Sequence, residues 1–195
     1  MSILNSLSPS ITRMIRLDHS HVLATFQQFH AGTPMRKKQA LVESACLALE
    51  IHTQLEEETF YPALRELSEP LTVVEKSYPE HEEMRRLITQ LRAMPVTDTA
   101  YDATFMELMR DVLHHVADEE TTLLPAAERL LPPDRLSELG AQMTGRRLQL
   151  LAPRAGELAW NTLRSMPQSG LIMASGVVAA GTYLLGRSSS FPPRG

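Results

Sequence analysis

One pattern occurs twice in this chain and constrains its fold more than any other feature. His52-Thr-Gln-Leu-Glu56-Glu57 is followed by Pro62, and His115-Val-Ala-Asp-Glu119-Glu120 is followed by Pro125. In each copy a Glu stands one helical turn after the His, a second Glu follows it, and a Pro comes ten residues after the His. An acid–His pair precedes each copy at nearly equal distance: Asp18-His19 before the first, Glu80-His81 before the second. A repeat of this length is one supersecondary unit used twice. Residues four apart lie on the same face of an α-helix, so the unit reads as a helical hairpin. One helix of it carries acid–His and the next carries His-x-x-x-Glu-Glu.

Apolar residues around these motifs keep helical spacing. Helix is expected over about 10–29, with Ile15, His19 and Phe26 on one stripe. A second helix runs over 34–67, after Thr33 as N-cap and Pro34 as first helical residue, and its stripe passes through His52, Leu55, Glu56 and Thr59. A third covers 71–94, with His81 just after a Pro79 that can kink it. The fourth runs from about 99 and ends before Pro132-Pro133, with Phe105, Leu108, Val112, His115 and Glu119 in line. A fifth, amphipathic helix over 133–151 is expected beside them. Aromatic residues make up only 5% of the chain, which disfavours a strand-rich fold. Short connections make successive helices antiparallel neighbours. The expectation is an all-α, up-down-up-down four-helix bundle (1–131), an accessory helix (132–152) and a basic, apolar tail (153–195).

Four inward His and two inward Glu need a partner. Carboxylates facing a core cost several kcal/mol each when unpaired. An imidazole binds one cation end-on and a carboxylate can bridge two, so the candidate ligands of a metal pair are His19, His52, Glu56, His81, His115 and Glu119. His21 points some 200° away from His19. His114 with Asp118 offers a competing pair, but the duplicated Glu-Glu and Pro spacing selects His115 with Glu119. His30 reads as a polar residue at a helix end. Glu57 and Glu120 stand one step round from the bridging positions; they read first as solvated and second as hydrogen-bond partners of the ligand side chains. Tyr78 reads as a core aromatic, and Cys46 as a small buried residue.

With these motifs in hand, over about 11–131, the chain resembles the hemerythrin/HHE cation-binding family. The resemblance implies a hemerythrin-like bundle with two iron ions and a position for a small ligand: O2, NO or peroxide. Imidazole and carboxylate donors also suit Zn or Mn. Two departures from the oxygen carriers are visible. Arg85 stands where they have a further His, one turn after the third-helix His, and Glu119 replaces their bridging Asp. The four-His, two-Glu set is closer to bacterial iron-centre repair proteins of the same superfamily, without their cysteine-bearing N-terminal segment. Three function classes stay open: a redox or small-ligand protein with an electron donor, an iron storage or delivery protein, and a structural bundle without metal.

A net charge of −4 gives no case for a nucleic-acid partner. A single cysteine allows no internal disulfide and suits a reducing cytosol. From Ala141 onward the chain has six Arg and one Glu. Within that basic tail, 171–185 is uncharged but shorter than the roughly 20 residues a bilayer needs. It reads as a membrane contact on the cytoplasmic face, an oligomer contact through small residues, or a helix folded back on the bundle.

Overall fold

The structure, a computed structural model, describes residues 9–67, 72–154 and 156. Its elements are α1 (Ile11–Phe26), α2 (Met35–Leu55), α3 (Tyr61–Arg65), α4 (Thr72–Ala93), α5 (Tyr101–Asp118), α6 (Leu124–Leu130) and α7 (Pro133–Leu151). No strand occurs among the described residues. The architecture is the expected up-down-up-down bundle with an added helix. The tail segment 171–185 lies outside the described residues. Among those described, no helix is long and apolar enough to cross a membrane.

Helix ends differ from expectation in small ways with local causes. Ser10 caps α1 by accepting from the Arg13 N–H at 3.4 Å. α1 stops at Phe26 rather than at 29, and the following turn places Phe29 in the core, 4.6 Å from the Phe105 ring. Thr33 does not cap α2. Its hydroxyl accepts from the His30 N–H at 3.0 Å, and α2 starts at Met35, after Pro34. Pro79 lies inside α4 without interrupting it.

One irregularity recurs at the same place in both hairpins. A single π turn, Glu56–Phe60, joins α2 to α3, and a second, Glu119–Leu123, joins α5 to α6. In each the closing bond skips five residues: the Tyr61 N–H donates to the Glu56 carbonyl and the Leu124 N–H to the Glu119 carbonyl. The duplicated Pro supplies the reason. Pro62 and Pro125 have no N–H to donate, and in a regular helix their rings would meet the carbonyl four residues back. The wider turn relieves that conflict and keeps the rod continuous, as π bulges do elsewhere. It also rotates everything after it. The regular spacing put Thr59 inward; with the extra residue Thr59 is only half-buried, and Phe60 and Tyr61 are fully buried instead.

Two apolar clusters fill the bundle, one on each side of the metal-ligand candidates. Ile11, Ile15, Leu55, Phe60, Leu64 and Leu123 belong to one, which the apolar face of α7 (Leu136, Leu139, Met143) completes. Val22, Phe26, Leu49, Leu87, Phe105, Leu108 and Val112 belong to the other. On α1, His19 falls between Ile15 and Val22; on α2, His52 falls between Leu49 and Leu55. The polar residues therefore form a layer between two dry ends.

α7 runs parallel to α1, since contacts step along both in the same sense. Gly140 meets Pro9 to Ile11, Thr144 donates to the Met14 sulfur at 3.4 Å, and Arg147 pairs with Asp18. Gly140 is required there, because a Cβ would lie 2.1 Å from the Pro9 carbonyl oxygen.

Candidate metal centre

All six candidate ligands converge. His19, His52, His81 and His115 are at most 4% exposed, and Glu56 and Glu119 are fully buried. Donor atoms of His19, His52, Glu56 and Glu119 lie within 4.8 Å of one another, as do those of Glu56, His81 and His115. The first group is built mainly from the two helices of the first hairpin. The second takes both of its His from the other hairpin, and Glu56 belongs to both. His19 Nε2 lies 3.3 Å from Glu119 Oε2, and His52 Nε2 lies 3.3 Å from Glu56 Oε2. On the other side His81 Nε2 is 3.5 Å from Glu56 Oε2, and His115 Nε2 is 3.6 Å from Glu119 Oε2. Each carboxylate thus faces imidazoles of both pairs, the placement a bridging ligand needs.

The donor set fits cations on its own chemistry. Several of these buried atoms have no hydrogen-bond partner: His19 Nε2, His52 Nε2, Glu56 Oε1 and Glu119 Oε2. Leaving such groups unsatisfied costs about 1–3 kcal/mol each, whereas two cations would engage all of them. Without cations the layer must hold protons. Burial pulls the His115 imidazole down, but Glu119, Glu56 and Glu80 outweigh it and push its pKa up to about 10. His19 is raised in the same way by Glu119, Glu56 and Glu120 against its burial. Burial acts to raise Glu119, but His115, His19 and His52 hold it below the usual carboxylate range.

Behind the imidazoles stands a ring of four more carboxylates. Glu57 Oε1 is 2.8 Å from His81 Nδ1, Glu120 Oε1 is 2.9 Å from His19 Nδ1, and Glu80 Oε2 is 3.0 Å from His115 Nδ1. Asp18 Oδ2 faces His52 Nδ1 at 3.6 Å. Asp18 on α1 thus faces His52 on α2 without bonding it, while Glu57 after α2 serves His81 on α4, Glu80 on α4 serves His115 on α5, and Glu120 after α5 serves His19 on α1. A carboxylate on Nδ1–H fixes the tautomer and orientation and leaves the Nε2 lone pair for a metal. Each acid is in turn paired with a cation: Arg85 with Glu57 at 2.9 Å, Arg16 with Glu120 at 3.3 Å, Lys76 with Glu80 at 3.1 Å, and Arg147 with Asp18. Burial acts to raise Glu57, Glu80 and Asp18, but their His and cationic partners hold all three below the ordinary range.

This ring corrects one expectation. Glu57 and Glu120 are bound to His81 and His19 rather than merely solvated; the second Glu of each motif has a task on the neighbouring helix. Arg85 pairs with Glu57 and Glu82.

Tyr61 is the site residue that sequence reasoning missed. Its hydroxyl donates to Glu119 Oε1 at 2.9 Å, lies 3.3 Å from Glu56 Oε2 and from His81 Nε2, and its ring stacks on His81 with centroids 5.6 Å apart. Burial and the charges of Glu56 and Glu119 push the phenol pKa upward, so it remains a donor. The matching position of the second hairpin is Leu124, so the two halves of the pocket differ. Tyr78 does not line the site; it packs on Tyr61 at 5.5 Å, with Arg65 over its face. Cys46 is buried in the far cluster, where burial pushes its thiol up to about 12. His21, His30 and His114 are exposed.

Comparison with known proteins agrees with this geometry. The family described as the hemerythrin HHE cation binding domain matches residues 10–127. A DNA nickase of a Nostoc species is 28% identical over 130 residues, 66% of this chain but only 36% of that protein. An uncharacterized protein of Mycobacterium tuberculosis is 29% identical over 140 residues, 71% of this chain and 81% of its own length. The crystal structure of an HHE cation binding domain-containing protein from Mycobacterium kansasii, a homologue of that mycobacterial protein, superposes with a TM-score of 0.63 at 19% identity. It covers 85% of this chain and 98% of the other.

Proposed function

Because this chain belongs to the hemerythrin HHE cation-binding domain family, we propose that its pocket holds two iron ions and that the pair binds, senses or reduces a small ligand: O2, NO or peroxide. The ligand set carries the reading. His19 and His52 would hold one ion and His81 and His115 the other, with Glu56 common to both donor groups and Glu119, 3.6 Å from His115, placed to be shared as well. Two imidazoles for each ion and two carboxylates between them would leave positions for an exogenous ligand. Iron rather than Zn or Mn follows from the family likeness, since the donors alone suit all three.

Bound there, the ions would supply Lewis-acid and one-electron chemistry to an oxygen- or nitrogen-containing ligand. The protein's own part is positional and electrostatic. Glu120, Glu57 and Glu80 keep the Nε2 atoms of His19, His81 and His115 aimed inward. The two apolar clusters exclude bulk water, which strengthens every charge interaction in the layer. Tyr61 places a hydroxyl donor against Glu119 and Glu56, within reach of a ligand on the His81 side.

Delivery of iron to other proteins is the weaker reading, because every ligand is buried and release would require the bundle to open. A bundle without metal is weaker still, since it would keep two buried carboxylates for no purpose. The nickase's named activity is not carried over, since only 36% of that protein is matched.

The test is metal analysis of protein expressed with iron, then stopped-flow absorbance of the reduced protein mixed with O2, NO and H2O2. Two irons per chain and a spectral change with one of the ligands support the reading. No bound metal, or no response to any ligand, overturns it.

A further inference from the structure

The four cation–carboxylate–imidazole chains are not equivalent. In three of them the carboxylate sits 2.8–3.0 Å from the imidazole Nδ1, and the cation comes from a helix of the bundle itself: Arg16 from α1, Lys76 and Arg85 from α4. In the fourth the cation is Arg147, from α7. Its two terminal nitrogens hold both oxygens of Asp18, Nη1 on Oδ1 at 2.9 Å and Nη2 on Oδ2 at 2.5 Å. That same Oδ2 is the atom that faces His52 Nδ1, at 3.6 Å, and His52 Nδ1 is buried without a hydrogen-bond partner. The cation pair in which both carboxylate oxygens are gripped therefore coincides with the loosest carboxylate–imidazole pair.

Sharing an oxygen does not by itself prevent the inner bond. Glu57 Oε1 serves His81 at 2.8 Å and Arg85 at 2.9 Å together. The difference is the fork. A guanidinium that binds both oxygens fixes the carboxylate plane, so Asp18 cannot swing toward the ring. Asp18, His52, Arg147 and Leu151 all line one cavity of about 470 Å³. The position of Arg147 is in turn set by docking of α7 on α1. Gly140 makes the closest approach and stands two turns before Arg147, just as Ile11 stands two turns before Asp18.

We propose that Arg147 is a positioning residue that holds Asp18 back from His52, so that the seating of α7 sets how strongly His52 can donate to the metal pair. The inference rests on the metal-binding reading for its consequence, but the clamp itself can be read without metal. With Asp18 released onto Nδ1–H, His52 becomes a stronger ligand. Its ion is then held more tightly, and the oxidised state is favoured because the added negative charge lies closer to it. In the present arrangement the strength of the His52 ligand is the one that the seating of α7 sets, through Arg147 and Asp18.

The experiment compares Arg147→Gln, Arg147→Lys and Asp18→Asn in the full chain. In the metal-free protein, nitrogen and proton NMR of the His52 imidazole reads the Nδ1–H bond. In the iron-loaded protein, metal affinity and reduction potential read its effect. Arg147→Gln should move the His52 Nδ1 proton signal downfield, raise metal affinity and lower the potential. Arg147→Lys keeps the charge without the fork and should shift the proton signal in the same direction. Asp18→Asn removes a charge that faces His52 from 3.6 Å without bonding it, so it should weaken metal binding by less than the roughly 10- to 100-fold loss of a bonded partner and raise the potential. Adding Arg147→Gln to Asp18→Asn should then change little. Thermal unfolding of each variant confirms that it is folded. The proposal is overturned if Arg147→Gln leaves the His52 signal in place, or shifts affinity and potential in the same direction as Asp18→Asn, because Arg147 would then be securing Asp18 against His52. A wild-type protein that takes up no metal sinks the functional reading, and the NMR comparison still decides the clamp.

Discussion

Removing the metal should reverse the way stability responds to pH. In the metal-free protein His115 is raised from 6.5 to about 10 by Glu119, Glu56 and Glu80 against its burial. A group whose folded pKa lies above its unfolded value stabilises fully below the unfolded value, and that contribution is lost as pH rises through the folded one. Moving one imidazole from 6.5 to about 10 is worth on the order of 5 kcal/mol, at about 1.4 kcal/mol per pH unit. That is a large part of a domain's total stability. Metal-free protein should therefore lose stability steadily from pH 6.5 to 9, by roughly 1.4 kcal/mol per pH unit for each proton held. His19, also raised, steepens the decline. In a metal-loaded protein these imidazoles would be neutral ligands. Protons compete with the metal, so stability should rise toward pH 6.5 and level off above it. Urea unfolding of chelator-treated and metal-loaded protein across pH 5.5 to 9 provides the comparison, with metal uptake at pH 7.5 releasing at least one proton per chain. Parallel curves, or uptake without proton release, would refute the reasoning, because the layer would then not be exchanging protons for cations.

Other outcomes follow from single contacts. Tyr61→Phe keeps the stack on His81 but removes the donor to Glu119 and Glu56; the metal-free protein should lose about 1–3 kcal/mol, and the loaded protein should keep its metal with altered ligand-binding kinetics. Gly140→Ala puts a methyl against the Pro9 carbonyl and must push α7 off α1. It should cost about 1–3 kcal/mol and shift the His52 signal as Arg147→Gln does. Leu108→Ala, at a fully buried position in the far cluster, should cost about 2–5 kcal/mol with metal stoichiometry unchanged. Glu119→Gln removes a shared charge, and metal analysis should find fewer than two ions per chain.

What could be read in advance, and what could not, divides along one physical line. The bundle and the six inward residues were legible because each is a statement about one helix: period 3.6, a cap, a His with a Glu one turn later. Duplication then removed the ambiguity between His114 and His115 and between His19 and His21. The outer ring was not legible, because each of its links joins two helices, and pairing across helices is set by axial offset and rotation that no single stretch encodes. Glu57 looks solvated on its own helix; only the position of His81 on the next one gives it a partner. The acid–His dipeptides did hold a signal. An acid next to an inward His points sideways, toward a neighbouring helix, and that is how Glu80 reaches His115 and Asp18 comes to face His52.

Tyr61 was lost for a different reason, and one that can be used elsewhere. The inward stripe was extended past Glu56 at a constant 100° per residue, which delivers Thr59. Pro62 disfavours that extension, since its ring and missing N–H conflict with a regular preceding turn, and a turn widened by one residue relieves the conflict. Widening delays the inward face by one residue and brings Phe60 and Tyr61 to it. The same correction at Pro125 brings Leu123 and Leu124 inward, both fully buried. The duplicated Pro is therefore part of the site. It selects which residue closes the pocket beyond each shared carboxylate, a phenol in one hairpin and a leucine in the other. That choice makes a pocket built from a repeat chemically unequal on its two sides. Replacing Pro62 by Ala tests the claim: a regular helix should return, Thr59 should move inward, and the Tyr61 hydroxyl should lose Glu119, visible as a weaker phenol hydrogen bond. An unchanged Tyr61 environment would show that packing in the first cluster, rather than the proline, sets the turn.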